Sequence, residues 1–188
     1  MKRALGGLLG ATLVLCSTAI WADSYTDTVN LFKNAGRSAG FFANSYGYAV
    51  FPTIGKGGLG VGAAHGNGHV YKHGQYVGDT SMTQLSVGAQ AGGQAYSQII
   101  FFQDQRAFDE FTKGNFEFGA DVNTVAITAA AGSSVGTQGA AAEASGGEKD
   151  ARTAGKYYKG LAVFTIVKGG AMLQATVAGQ KFNYSPKT

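Results

Sequence analysis

A chain of 188 residues with 45% hydrophobic and 14% charged residues suits one domain with a real core, which excludes wholesale disorder. Glycine is 30 of 188 with only 2 prolines and no three-residue period, which excludes collagen, and no internal apolar run reaches the length of about 18 residues that a membrane-crossing helix needs. One cysteine excludes an intrachain disulfide and a Cys-rich zinc site, and 15 basic against 11 acidic residues leave a net charge of +4.

The chain opens with Lys2 and Arg3, a mostly apolar run over residues 5–20 and small residues after it. This is the pattern of a secretory signal peptide, residues 1–22, with cleavage after Ala22, or alternatively after Ala19 with Ser17 at the −3 position, and residues 23–188 as the folded domain. Cys16, at the end of the apolar run, is the candidate lipid anchor, although bulky Leu15 stands where a lipoprotein signal normally has a small residue. The expected location is the periplasm or cell envelope, membrane-anchored or secreted.

Ser24 with Asp27 forms a capping pattern, and Tyr25, Val29, Phe32, Ala35, Ala39 and Phe42 then recur every three or four residues as one apolar helical face. Gly36 and Gly40 in that pattern suggest close packing on a flat surface. Residues 48–51 read as a strand stopped by Pro52, and Lys56-Gly57-Gly58 as a turn. Leu59, Val61 and Ala63 alternate with glycine, Gly66-Asn67-Gly68 reads as a hairpin turn, residues 69–73 return as strand, and Gly74-Gln75 turns again. Residues 82–91 and 94–102 form a further pair joined at Gly92-Gly93. Asp104 caps a short helix bearing Ala107, Phe108 and Phe111 and ending at Gly114. Residues 122–130 are strand, 131–155 a long flexible loop without large apolar residues except Val135, and 161–184 a closing meander with glycine turns. The fold class is α+β: a mostly antiparallel, barrel-like core with two or three helices packed outside.

Charge is uneven. Residues 23–148 hold six basic against ten acidic residues, whereas residues 149–188 hold seven basic against Asp150 alone. Such asymmetry points to an anionic partner. Export and the scarcity of arginine argue against nucleic acid, and anionic lipid headgroups fit better.

The stretch from Tyr48 through Phe51-Pro52, Gly55-Lys56-Gly57-Gly58 and Gly60 to Gly62, followed by Gly66-Asn67-Gly68, resembles the start of the SYLF domain. Residues 88–94, the Phe118-Gly119-Ala120-Asp121-Val122 stretch, and Tyr157-Tyr158-Lys159-Gly160-Leu161 with the later Gly169-Gly170 resemble further segments of that family in order. The resemblance covers roughly residues 31–184. It implies a lipid-interaction module that binds phosphoinositide-like or other anionic phospholipid headgroups through a basic surface and an amphipathic N-terminal helix. The residues assigned to that surface are Lys56, Lys72, Arg152, Lys156 and Lys159, with Lys33 and Arg37 beside them. Lys72-His73 stands where the family usually has a basic pair, so charge there depends partly on pH. Some eukaryotic relatives bind and bundle actin, a role not expected of an exported chain. The alternative is a structural or adhesive envelope protein that contacts a protein or acidic polymer without binding lipid.

Catalytic signatures do not support an enzyme: there is no Gly-x-Ser-x-Gly elbow, His-Glu-x-x-His or phosphate loop, and adjacent Asp109-Glu110 point apart on a helix. His65, His69 and His73, spaced by four, bear the donors a zinc site needs, but no acid lies in the stretch to orient them. They read as hairpin-surface histidines, so neither metal nor cofactor is assigned. Gly55-Lys56-Gly57-Gly58 offers either an anion-binding nest of backbone N–H groups or an ordinary strand turn. The pattern sets no oligomeric state.

Overall fold

The computed structural model describes residues 19–118, 124–127 and 157–188. In chain order these form α1 (Ala19–Asn34), α2 (Phe41–Asn44), β1 (Gly47–Lys72), β2 (Gln75–Phe102), α3 (Gln105–Thr112), β3 (Phe116–Phe118), β4 (Thr124–Ile127) and β5 (Leu161–Pro186). The mostly antiparallel α+β class is as expected. The barrel is not: the described strands form an open sheet in the order β1-β2-β5-β3, with β4 pairing parallel to β5. Residues 128–156, which contain the expected flexible loop, and residues 1–18 of the expected signal lie outside the described residues.

Three strands of 26, 28 and 26 residues replace the many short ones read from the sequence. Each long strand bends, and glycine marks those bends as readily as it marks turns. In β1, positions on opposite sides of Gly60 face one another: Gly58 lies against Gly62, Gly66 against Ile54, Gly68 against Phe51 and Gly47 against Tyr71. The strand folds back over its own first half, and Gly60, at φ +71°, supplies the left-handed conformation at the reversal.

Gly66-Asn67-Gly68 is therefore extended strand, paired to Met82, Ser81 and Thr80, and not a hairpin turn. Its glycines are there for space. A Cβ on Gly66 would sit 2.6 Å from Ile54 Cγ1, and one on Gly68 would sit 2.7 Å from the Phe51 ring. The true hairpin turn is His73-Gly74, with φ of 48° and 79°, the two successive positive values that a tight two-residue turn requires. Pro52 does not stop β1 either. Its missing N–H falls in the register shift between Phe51 and Ile54, and its carbonyl accepts from Ser97 Oγ at 2.7 Å.

Side-chain alternation then builds two cores. Ala49, Phe51, Ile54, Ile100, Phe102, Leu161 and Val163 point one way and meet Ala64, Val70, Met82 and Phe182 from the other halves of the same strands. This cluster lies between the doubled halves of the sheet and is closed by Ala107, Phe108 and Phe111 of α3. The intervening residues Val50, Ile99, Phe101, Ala162, Phe164 and Ile166 point the other way, onto Tyr25, Val29 and Phe32 of α1. α3 forms as read: Asp104 Oδ1 accepts from Ala107 N at 2.9 Å, and Gly114 follows at φ +79°.

The first helix differs in both ends. α1 starts at Ala19, so Ser24 is inside it and its carbonyl accepts from Thr28 Oγ1 at 2.7 Å instead of capping. The predicted apolar face breaks at Asn34, and the chain turns through residues 35–40 before α2. Ser38 Oγ donates to the Phe32 carbonyl at 2.5 Å and satisfies that helix end. Gly36 and Gly40 have open space around them, so they permit the turn and do not serve close packing. Among the described residues no helix is long and apolar enough to cross a membrane.

These contacts separate two kinds of glycine. Gly68→Ala is expected to destabilise by about 1–3 kcal/mol, as overpacking does, whereas Gly36→Ala should be neutral or stabilise by up to about 1 kcal/mol. Urea unfolding of the two variants checks this, and equal midpoints would contradict the fold-back.

Candidate functional site

The registers give the sheet two ends. One is marked by the row Gly47, Phe102 and Leu161, the His73-Gly74 turn, α2 and α3; the other is marked by the bend at Gly60 and the row Leu59, Ala91 and Leu173. The first end is rich in aromatic rings, and lysines lie over them. Lys72 Nζ is 5.2 Å from the centre of the Tyr46 ring and 5.8 Å from that of Phe108. Lys159 Nζ is 5.1 Å from the Tyr158 ring centre, Lys187 Nζ 5.3 Å from Tyr76, and Lys33 Nζ 5.6 Å from Phe42. At these distances ring faces attract the ammonium while leaving it in water. The Lys72 ammonium is held above its usual range, first by its hydrogen bond to Tyr46. It stays fully charged at neutral pH.

Sequence position explains the convergence. Tyr46 precedes β1, Lys72 ends it and Tyr76 begins β2, so one hairpin stacks them at the same end. β5 enters at Leu161 beside Phe102 and leaves at Pro186 beside Gly78, which brings Lys159 and Lys187 to that end too. Of the seven predicted basic residues, Lys33, Lys72 and Lys159 share this aromatic end. Arg37 is exposed in the turn between α1 and α2. Lys56 does not join them: it pairs with Gln94, nine residues along β1 from Gly47, or about 30 Å at about 3.3 Å per residue. Arg152, Lys156 and Cys16 lie outside the described residues. Lys187 was missed because its aromatic partner, Tyr76, is 111 residues away in sequence and is reached only through the β2–β5 pairing.

The nest reading of Gly55-Lys56-Gly57-Gly58 is corrected. These residues pair in order with Ala95, Gln94, Gly93 and Gly92, as extended strand and not as a loop of convergent N–H groups. The histidines are spread in the same way. His65 Nδ1 lies 3.4 Å from Thr83 Oγ1, His73 sits in the turn edge-on to Tyr46, and His69 stacks on Tyr25. Four-residue steps along extended strand are about 13 Å each, too far for shared coordination. Among the described residues no three His, Cys, Asp or Glu side chains group to hold a metal.

His69 nevertheless joins α1 to the sheet. Its ring lies 3.4 Å from that of Tyr25 at 6°, with Tyr76 on another side at 4.6 Å and Asp79 Oδ1 3.4 Å from Nε2. A shallow depression of about 390 Å³ opens beside it, lined by Tyr25, Asn67, Asp79, Ser81, Asn183 and Ser185 among others. It contains no lysine or arginine, so it is not the anion surface. Tyr157, which packs edge-on to Phe41, has a buried hydroxyl without a hydrogen-bond partner among the described residues, and burial pushes its pKa up to about 12.

The family model of Ysc84, described as Las17-binding protein actin regulator, matches residues 83–185. The chain belongs to the Ysc84, or SYLF, family. It is also 29% identical over 161 residues to Beta cell expansion factor A of Aeromonas veronii, an alignment covering 84% of this chain and 52% of that protein. The SYLF chain therefore spans about half the length of this curated relative. No solved structure matches it. Ysc84 domains are a binding family and not one known for catalysis, which agrees with the lack of catalytic signatures in the sequence.

His69 gives the SYLF domain a pH dependence. Burial holds its pKa below the ordinary 6.5, outweighing Asp79, which pulls the other way. The folded state thus binds this proton less readily than the unfolded state. Stability from neutral His69 is full above pH 6.5 and falls as pH drops through 6.5 towards the depressed folded value. Thermal unfolding between about pH 7.5 and 5.5 should show a falling midpoint that His69→Gln flattens; an identical slope in both proteins would remove His69 as its source.

Proposed function

We propose that this SYLF domain is a cell-envelope lipid-interaction module that binds anionic phospholipid headgroups reversibly through its aromatic end. The observation that carries the reading is the seating of Lys33, Lys72, Lys159 and Lys187 over rings of Phe42, Tyr46, Phe108, Tyr158 and Tyr76 at one end of the molecule. Ammonium groups beside half-buried aromatic rings suit the boundary between water and headgroups. Family membership supports the same reading. Arg37 adds charge at this end, and Arg152 and Lys156 precede Lys159 closely in sequence. The export signal and Cys16 belong to the proposal as the route and a possible anchor to the envelope. The actin role in the family's description does not.

Such binding is electrostatic. Surface charges separated by more than about 8 Å are largely screened at physiological salt, so the interaction weakens as salt rises. The test is co-sedimentation of the protein with phosphatidylcholine vesicles, with and without phosphatidylglycerol, across a salt series. Replacing Lys33, Lys72 and Lys159 together by Gln should weaken binding to the anionic vesicles by at least about tenfold at low salt. Equal binding by wild type and variant would reject this surface. Wild-type sedimentation with lipid-free acidic envelope polymer, but not with anionic vesicles, would favour the adhesive alternative.

A further inference from the structure

The opposite end of the sheet has different chemistry. Leu59, Val61, Leu85 and Val87 are 83%, 63%, 67% and 66% exposed, unusually open for large apolar side chains in strands. They are neighbours: Val61 pairs with Val87, Leu85 with Ala63, and Leu59 with Ala91. Ala63, Ala89 and Ala91 beside them are exposed too. No Asp, Glu, Lys or Arg occurs in residues 57–71, 80–103 or 169–180, and the registers bring residues 57–63, 85–93 and 171–179 of these stretches together at this end.

From this geometry we infer that the glycine end inserts into the hydrocarbon layer of a membrane. Three observations favour lipid over a protein partner. First, three strands lose their charges over the same rows, leaving nothing there for ion pairing with a folded partner. Second, the middle strand enters with most of its backbone paired: residues 87–91 pair in order with 177–173 of β5, and Val87 and Ala91 also pair with Val61 and Leu59, whereas residues 88–90 at the bend have no β1 partner and β1 is a sheet edge, which keeps the entry shallow. Hydrocarbon demands such pairing, since an unsatisfied backbone group there costs several kcal/mol. Third, cations border the apolar rows. Lys56 pairs with Gln94, which pairs on to Gly170, and Lys168 precedes that row on β5, its Nζ donating to the Pro52 carbonyl and to Thr53 Oγ1 at 3.1 Å each. Three residues of strand separate Lys56 from Leu59, about 10 Å, which matches the depth of about 5–10 Å to which interfacial elements bury their apolar faces. Lys56, distant from the other predicted lysines, acquires here its own place at headgroup level.

The insertion extends the lipid reading but uses different residues and a different lipid layer, and its binding resists salt. With the glycine end inserted, the aromatic end faces away from that bilayer and is available to a second anionic surface.

The test uses full-length protein with Cys16→Ser and Leu85→Cys, labelled with an environment-sensitive fluorophore and mixed with phosphatidylcholine–phosphatidylglycerol vesicles. Insertion gives a blue shift and quenching by acyl-chain quenchers, both persisting at high salt. In unlabelled protein, Leu59→Ser, Leu85→Ser and Val87→Ser together should reduce the salt-resistant binding by at least about tenfold, since each removes an apolar side chain from the lipid. The replaced side chains are exposed, and circular dichroism checks the fold. A solvent-exposed label, with salt-sensitive binding intact, overturns the insertion and leaves the headgroup proposal standing. Salt-resistant binding without a salt-sensitive part does the reverse. A wild-type dimer that the triple variant dissociates, with vesicle binding unchanged, overturns the insertion and makes the patch an interface between copies.

Discussion

The structure depends on one close approach: the two halves of β1 lie against each other with glycine backbone where side chains would collide. Gly66 against Ile54 and Gly68 against Phe51 set the spacing. Because β2 follows β1 along its whole length and β5 follows β2, the reversal in β1 is transmitted across the sheet. The doubled sheet then encloses Phe51, Ile54, Met82, Ile100, Phe102 and Phe182, and α3 closes it. Interiors pack closely enough that an added methyl group without space forces the backbone to move. The cost of glycine in strands is thus offset by a core that no bulkier sequence could close in this way.

Those same glycines made the sequence hard to read. Residues 48–51, 82–91, 94–102 and 161–168 were legible as strands from their alternation and apolar content, and α3 from Asp104 and its aromatic face. Continuity was not legible. Pro52, Gly66-Asn67-Gly68 and Gly92-Gly93 carry the local signals of strand ends, and they are bulges, close approaches and bends inside long strands. A local signal reports that a backbone position is unusual. Only the partner across the fold decides whether the oddity is a turn, and Gly68 needs Phe51, 17 positions earlier, to explain it. The barrel expectation failed for a related reason: glycine-rich bending is needed to close a sheet but also serves to double one over.

The basic residues show the same division. Lysine content and the family's pattern were enough to nominate Lys33, Lys72 and Lys159, yet their common feature, an aromatic ring under each ammonium, comes from pairing. Tyr46 meets Lys72 because β1 returns to its starting end, and Tyr76 meets Lys187 because β5 leaves beside β2. Rings hold cations without neutralising them. A carboxylate in the same position, as Glu117 is for Lys181 at 3.5 Å, would cancel the charge that an anionic partner needs.

The fold-back also separates charge from apolar surface along the strands. A strand that ran straight would distribute its alternating residues over two faces of one sheet. When it reverses, one face becomes interior for both halves, and the outer face is divided between two ends according to position along the strand. α1 and α2 cover much of the outer face towards the aromatic end, over Val50, Ile99 and Phe101. Nothing among the described residues does so at Gly60, where Leu59, Val61, Leu85 and Val87 stand open. A soluble protein under no other demand would place polar residues at such positions, since solvent-facing strand sites accept threonine as readily as valine; His65 and Thr83, only a few residues from Val61 and Leu85 on the same outer face, show that this sheet does accept them. On the insertion proposed above, the change from Thr83 to Leu85 to Val87 along one face runs from water towards a layer that excludes it.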